Sequence, residues 1–263
     1  DLPLSNSLTA DEKNELNTVE SRLTAALDIK KAPKKEVTKA YNTFKAANIR
    51  PSGNGFTGAP VVAPDEIDRK KGEMSWNNLE EMLAGFAYDA YYNHSEQAKK
   101  NYFLVWDYAI DQGFAFGSGM GTNHHYGYQV RKIYTTAWLM RDAIWKAPNR
   151  DNILSALIFW SALQETRIPF QYGRDELLDS WHTLLMAKTV AALLFVDERE
   201  RARALAGLSR WLSGSLQYSP GTIGGIKVDG TTFHHGGFYP AYTTGVLAMA
   251  GQYIALTNNT RYV

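Results

Sequence analysis

Four of the six histidines in this chain occur as two adjacent pairs within glycine-rich stretches. His124 and His125 lie in Gly121-Thr-Asn-His-His-Tyr-Gly-Tyr128, and His234 and His235 in Asp229-Gly-Thr-Thr-Phe-His-His-Gly-Gly-Phe-Tyr-Pro-Ala-Tyr242. In the second stretch Pro240 suits the first turn of a helix. That sets Tyr242 at a helix N-terminus, where partial positive charge favours phenolate over phenol. A tyrosine so placed can accept and return a proton near neutral pH. His235 precedes it across the Gly236–Gly237 bend. An imidazole and a phenol facing one bound sugar form an acid/base pair without carboxylates. Such a pair suits β-elimination: one group removes the proton alpha to a uronate carboxylate, and one protonates the leaving oxygen.

Two other chemistries compete for these loops. Adjacent histidines lack the i, i+4 helical spacing of a zinc site, and there is no His-Glu-x-x-His run, so no metal is expected in the chemistry. A structural or stimulatory calcium or magnesium ion held by carboxylates is left open. A glycoside hydrolase would need two opposed carboxylates. Asp111, Glu165, Asp175, Glu176, Asp179 and Asp229 lie on or near long loops, although Asp229-Gly230 reads more simply as a turn. Arg131, Lys132, Arg167, Arg174 and Lys227 are the candidates for holding a substrate carboxylate or sulfate, arginine being the better bidentate partner. Trp76, Tyr126, Trp181 and Tyr239 are candidates for stacking on a sugar. Trp138, Trp145 and Trp160 fall on helical stripes and read as core.

The elements that must hold these residues are helical nearly throughout. Leu16, Val19, Leu23 and Leu27 make one apolar stripe behind a capping box at Thr9 and Glu12, and Val37, Ala40, Tyr41 and Phe44 the next. Leu79, Leu83, Phe86 and Ala90 mark a helix capped near Ser75 or Asn77, and Tyr102, Val105 and Ala109 another. Further helices are predicted over about 128–145, 149–163, 176–195 and 198–216, with a last one from about Ala241. A small β-hairpin fits the glycine-rich loop 220–240. Short turns at Asn93–Ser95, Ala147–Asn149 and Val196–Asp197 alternate with long loops. In antiparallel helices every second connection lies at the same end, so the long loops are expected to share one rim. A hairpin repeat of about 50 residues suggests an α/α toroid or solenoid.

Composition sets the outer limits. The 263 residues are 44% hydrophobic, enough for a real core, with a formal net charge of +1 and 13% aromatic residues. No block of like charge suggests a nucleic-acid partner. A polyanionic substrate would need basic residues concentrated in a cleft. No apolar run reaches the ~20 residues that span a membrane. Cysteine is absent, which excludes a disulfide framework and thiolate metal sites.

Asp229-Gly-Thr-x-x-x-His235 followed by Tyr239-Pro-Ala-Tyr242 resembles the catalytic segment of polysaccharide lyase family eight. That family includes chondroitin ABC, chondroitin AC, hyaluronate and xanthan lyases. Asn123-His-His-Tyr-Gly-Tyr128, with Arg131 and Leu139-Met140, resembles the matching segment of the broad-specificity chondroitin ABC branch. The resemblance runs from about Trp76 to Gln252. It implies an all-α fold, an incomplete α/α toroid of antiparallel helical hairpins, as a single catalytic domain over 1–263. The family's β-sandwich domains, and a later arginine and glutamate, are expected beyond Val263, so the rest of the same polypeptide is an expected partner.

The resemblance further implies cleavage of chondroitin sulfate, dermatan sulfate and hyaluronan by β-elimination, with no cofactor required, in a bacterial periplasmic or secreted protein. His235 is then the base for glucuronate and Tyr242 the acid. His125 assists with iduronate, whose acidic proton lies on the other face of the ring; His124 is the alternative for that role. Asn123, His124, Arg131, Trp181, His182 and His234 are the implied substrate-binding residues. The asparagine that neutralises the substrate carboxylate in other branches has no clear match, and Ser180 or His182 lies near its place. A carboxylate-based hydrolase and a non-catalytic glycosaminoglycan-binding fragment are the alternatives.

Overall fold

The computed structural model describes residues 1–62, 72–119, 126–173 and 177–263. Helices dominate, as the periodicity predicts, and the chain divides into two compact units: Leu27–Trp160, and Asp1–Ala26 with Ser161–Val263. The first helix, α1 (Ala10–Leu27), starts at the expected capping box: Thr9 N donates to Glu12 Oε2 at 2.8 Å, and Glu12 N to Thr9 Oγ1 at 3.3 Å. Leu16, Val19 and Leu23 of its stripe are buried. Arg22 Nη1 donates to the carbonyls of Leu256 and Asn258 at 3.0 and 2.7 Å, joining α1 to the end of the chain.

In the unit Leu27–Trp160, α2 (Lys34–Ala47) leads to a hairpin of β1 (Arg50–Ser52) and β2 (Gly55–Thr57), which the periodicity does not signal. There follow α3 (Trp76–Tyr92), α4 (Glu96–Asp111), α5 (Arg131–Leu139), α6 (Arg141–Trp145) and α7 (Arg150–Trp160). Ser75 caps α3, its N–H donating to Asn78 Oδ1 at 2.9 Å. The helix α3 packs against α2, α4 and α5 and is the core of this unit. Leu79, Met82, Leu83 and Phe86 are sealed from water, each contributing on the order of 2 kcal/mol. Gly85 sits where α2 crosses: a Cβ there would lie 2.8 Å from the Glu36 carbonyl.

The expected continuous helix over 128–145 is instead a 3-10 turn (Tyr126–Gln129) followed by α5 and α6. Met140, at φ −90° and ψ 5°, divides the two helices. One turn earlier the Thr136 hydroxyl donates to the Lys132 carbonyl at 2.5 Å, a side-chain bond that competes with the helical ladder and bends it. Trp76, Trp138 and Trp160 are buried. Trp76 meets Phe114 and Trp160 edge-on at 5.1 and 4.8 Å.

In the second unit a 3-10 turn (Leu163–Arg167) is followed by α8 (Leu177–Asp179), a π turn (Ser180–Leu184) and α9 (Leu185–Leu193). Next come α10 (Glu198–Ser215), β3 (Gly225–Ile226), β4 (Thr232–His234), β5 (Gly237–Phe238) and α11 (Pro240–Thr257). The helix α9 is buried on all but one position and packs against α10. Its Lys188, 1% exposed, donates to the Ser161 and Ala162 carbonyls at 2.9 and 3.3 Å. Asp197 caps α10 through the Arg199 amide at 2.9 Å. The loop 220–240 holds more than a hairpin: β3, β4 and β5 form one antiparallel sheet in that order.

Candidate active site

The site grows from the sheet at the start of α11. Lys227, only 8% exposed, clamps the loop before β4 by donating to Ser219 Oγ at 2.7 Å and to the Ile223 carbonyl at 2.5 Å. Burial lowers the pKa of its ammonium group. Asp229 and Gly230 make the expected turn, with Asp229 Oδ1 accepting from the Thr231 amide at 3.0 Å and its hydroxyl at 2.7 Å. Those two bonds lower the Asp229 pKa, the hydroxyl foremost. Thr232 then fastens the sheet to α11: its hydroxyl donates to the Tyr239 carbonyl at 3.0 Å and shares a 2.5 Å hydrogen bond with the Thr243 hydroxyl.

The histidine pair is divided by the hairpin that carries it. His234 pairs with Gly237, and His235 and Gly236 between them have φ of +53° and +74°. Two consecutive positive φ values mark a type I′ connection, for which histidine is one of the more tolerant non-glycine residues. His234 therefore turns inward, 1% exposed, while His235 stands exposed at the tip.

Around His234 lie three rings: His235 at 3.8 Å between centroids, Tyr242 at 5.1 Å and Tyr239 edge-on at 5.3 Å. Tyr239 also borders His235 at 6.0 Å and Tyr242 at 4.9 Å. Tyr242 is half-buried in the first turn of α11, the place Pro240 predicts. The π turn brings His182 to 5.8 Å from the Tyr242 ring. Gly245, one turn further along α11, makes room for it: a Cβ there would lie 2.6 Å from His182 Cδ2. A single π turn inside an α-helix is itself a frequent mark of a functional site.

Asn123, His124, His125, Arg174, Asp175 and Glu176 lie outside the described residues. Arg131 is exposed in the unit Leu27–Trp160, its guanidinium 5.0 Å from the Tyr128 ring centroid. Trp181 is not a stacking platform: it is 2% exposed, and its indole N–H donates to Ser215 Oγ at 2.9 Å. Trp76 is likewise core. His234 is too deeply buried to touch a polymer. Its Nε2 lies 3.4 Å from Asp179 Oδ2, at ion-pair distance.

Lys227 is spent on its loop, Lys132 pairs with Glu36 at 2.8 Å, and Arg167 with Asp1 at 2.9 Å. Of the carboxylates offered for hydrolysis, Asp229 serves its turn and Asp179 faces His234. Sequence reasoning missed the pairing of Asp179 with His234, which depends on α8 meeting β4, and the space at Gly245, which depends on the π turn meeting α11. Among the described residues no group of three or more His, Cys, Asp or Glu is arranged to hold a metal ion.

The model of a protein family described as "Lyase, catalytic" matches residues 2–263. Chondroitin sulfate ABC exolyase of Bacteroides thetaiotaomicron is 33% identical over 178 residues, which are 64% of this chain and 17% of that protein. Chondroitin sulfate ABC endolyase of Proteus vulgaris is 32% identical over 168 residues, 63% of this chain and 16% of that protein. The chain thus spans only a small part of the length of the curated relatives it matches.

Proposed function

Because this chain belongs to the family of lyase catalytic domains, we propose that it serves the β-elimination of uronate-containing glycosaminoglycans, chondroitin sulfate and dermatan sulfate first among them and hyaluronan as well. The observation that carries the reading is the shared ring neighbourhood of an exposed imidazole and a half-buried phenol: His235 and Tyr242 both border His234 and Tyr239. Exposed Phe238, beside the His235–Gly236 turn, adds an apolar face on which a sugar ring can lie.

In this reading His235 removes the C5 proton of a glucuronate and Tyr242 protonates the departing glycosidic oxygen at C4. The electron pair of the C5–H bond becomes the C4–C5 double bond as the C4–O bond breaks, so no water is consumed. The step needs a weakened C5–H bond, which a positive or hydrogen-bond-donating group at the substrate carboxylate supplies. We assign that role to His182, which stands beside Tyr242, rather than to Ser180, whose hydroxyl is buried. His125 is assigned to the iduronate face, with Asn123, His124 and Arg131 binding the polymer. The chemistry asks for no cofactor; calcium or magnesium would act on structure or rate alone. An acidic polysaccharide substrate favours the bacterial periplasm or the outside of the cell as the place of action.

Incubation with chondroitin sulfate and with dermatan sulfate, followed by ultraviolet absorbance of the unsaturated uronate, tests the proposal. Elimination gives absorbance and a new end together. A new reducing end without absorbance would mean hydrolysis, and binding without either would mean a carbohydrate-binding module; both outcomes overturn the reading.

A further inference from the structure

Beneath the two groups assigned to proton transfer lies a pair of ionisable side chains that no polymer can reach. The His234 side chain is fully sealed, with Nε2 3.4 Å from Asp179 Oδ2, and Asp179 itself is 8% exposed. The other surfaces of the imidazole meet the rings of His235, Tyr239 and Tyr242. Asp179 ends α8 directly before the π turn that presents His182, and the Thr183 hydroxyl donates to the Asp179 carbonyl at 2.8 Å. The pair therefore joins the strand that leads into His235 to the π turn carrying His182, beside Tyr242. Apolar side chains of the same size would serve stability there equally well, since desolvating a buried acid and imidazole offsets their attraction. What an apolar pair would lack is a fixed ring orientation, which the carboxylate imposes by selecting the imidazole edge that faces it.

We propose that Asp179 and His234 are a positioning pair, holding the His235 imidazole and the Tyr242 phenol at the angles elimination requires. The proposal rests on the elimination reading above. Neither residue touches substrate; both act through the rings packed around His234.

Three variants test it: Asp179→Asn, His234→Leu and His234→Gln. Glutamine keeps a nitrogen donor near the Nε2 position, leucine keeps only bulk, and Asp179→Asn allows either tautomer of His234. Misplacement of reacting groups by about 1 Å costs roughly 100-fold in rate, so Asp179→Asn and His234→Leu should lose roughly 10- to 100-fold in kcat. Their KM should stay near the parent's; His234→Leu, which sets an alkyl group against the buried Asp179 carboxylate, should also lower the melting temperature, and His234→Gln should recover most of kcat. Unchanged kcat in Asp179→Asn and His234→Leu overturns the proposal, as does a His234→Gln variant as slow as His234→Leu.

Side-chain 15N spectra of the histidines give a reading independent of turnover and of variant stability. Asp179→Asn should move the ring signals of both His234 and His235; signals that stay in place overturn the pair. If the parent protein turns over neither polymer, the elimination reading falls by itself, and these spectra still decide whether the pair orients His235.

Discussion

Replacing Gly245 by alanine should disable the site while leaving the fold intact. A Cβ at this position would lie 2.6 Å from His182 Cδ2 and 2.7 Å from Nε2. Carbon atoms pack at about 3.5–4.0 Å, so the ring must retreat by roughly 1 Å. The atoms in the way belong to a side chain, which rotation about its χ angles can move, rather than to backbone. If His182 faces the substrate carboxylate, a 1 Å displacement implies a loss of about 100-fold in kcat/KM, or about 2.7 kcal/mol of transition-state stabilisation. Stability should hardly change: alanine in a helix interior gains about 1 kcal/mol over glycine, and an off-rotamer His182 gives back about the same. Gly251→Ala, further along α11 with nothing within 4 Å of its added Cβ, is the internal control. It should raise the melting temperature and leave rates alone. The assay is initial elimination rate beside a thermal melt for both variants. Full activity in Gly245→Ala would refute the role given to His182. A collapsed melt would show that the backbone of α11, not the ring, had yielded.

His235→Asn, which keeps a residue tolerant of positive φ at the hairpin tip, and Tyr242→Phe should each lower kcat on chondroitin sulfate by roughly 100- to 10,000-fold, the usual worth of a positioned acid or base; a normal rate in either would remove that residue from the chemistry. Trp181→Phe should lower unfolding free energy by about 1–2 kcal/mol through the lost bond to Ser215, with KM unmoved, as read in urea titrations beside kinetics; a raised KM at unchanged stability would return Trp181 to the substrate. Asp197 has its carboxyl held down at about 2, chiefly by the Arg199 side chain and then by the Arg199 amide. Because the folded value is depressed, its stabilisation is full above the ordinary carboxylate value of about 3.9 and disappears as pH falls through about 2. Asp197→Asn should therefore flatten the loss of stability between those limits in acid melts, and an unchanged curve would refute the linkage.

Much of the frame was legible because an amphipathic helix such as α1 buries one face. The stripe of α1, its capping box and the positions of α3 and α4 all follow from apolar spacing and caps. Tyr242 at the start of α11 was legible through Pro240. Where local chemistry competes with the pattern, legibility fails. The Thr136 hydroxyl interrupts the ladder that Tyr128 to Trp145 otherwise spells out, and the π turn at Ser180–Leu184 inserts a residue without changing composition. The site follows the same division. The two histidines at 234 and 235 look alike in sequence, yet the turn that begins after His234 sends them to opposite environments. Trp181 and Lys227 looked like substrate groups because residue type suggests function, while burial, which decides it, depends on partners such as Ser215, Ser219 and Ile223.

Two backbone irregularities near Tyr242 arise in elements far apart in sequence. One is the left-handed His235–Gly236 tip, the other the π turn that carries His182. A non-glycine residue in the left-handed region costs about 1 kcal/mol or more, and a π turn gives up regular helical geometry. A chain shaped only by stability would keep neither, and the buried helix α9 with its Lys188 anchor shows that this unit has stable packing to spend on them. Both irregularities bring an imidazole toward one phenol: His182 abuts the Tyr242 ring directly, and His235 packs against His234, which does. Strain at a single point could be incidental. Strain at two independent points that converge on the first turn of α11 argues that the local geometry there is held for chemistry.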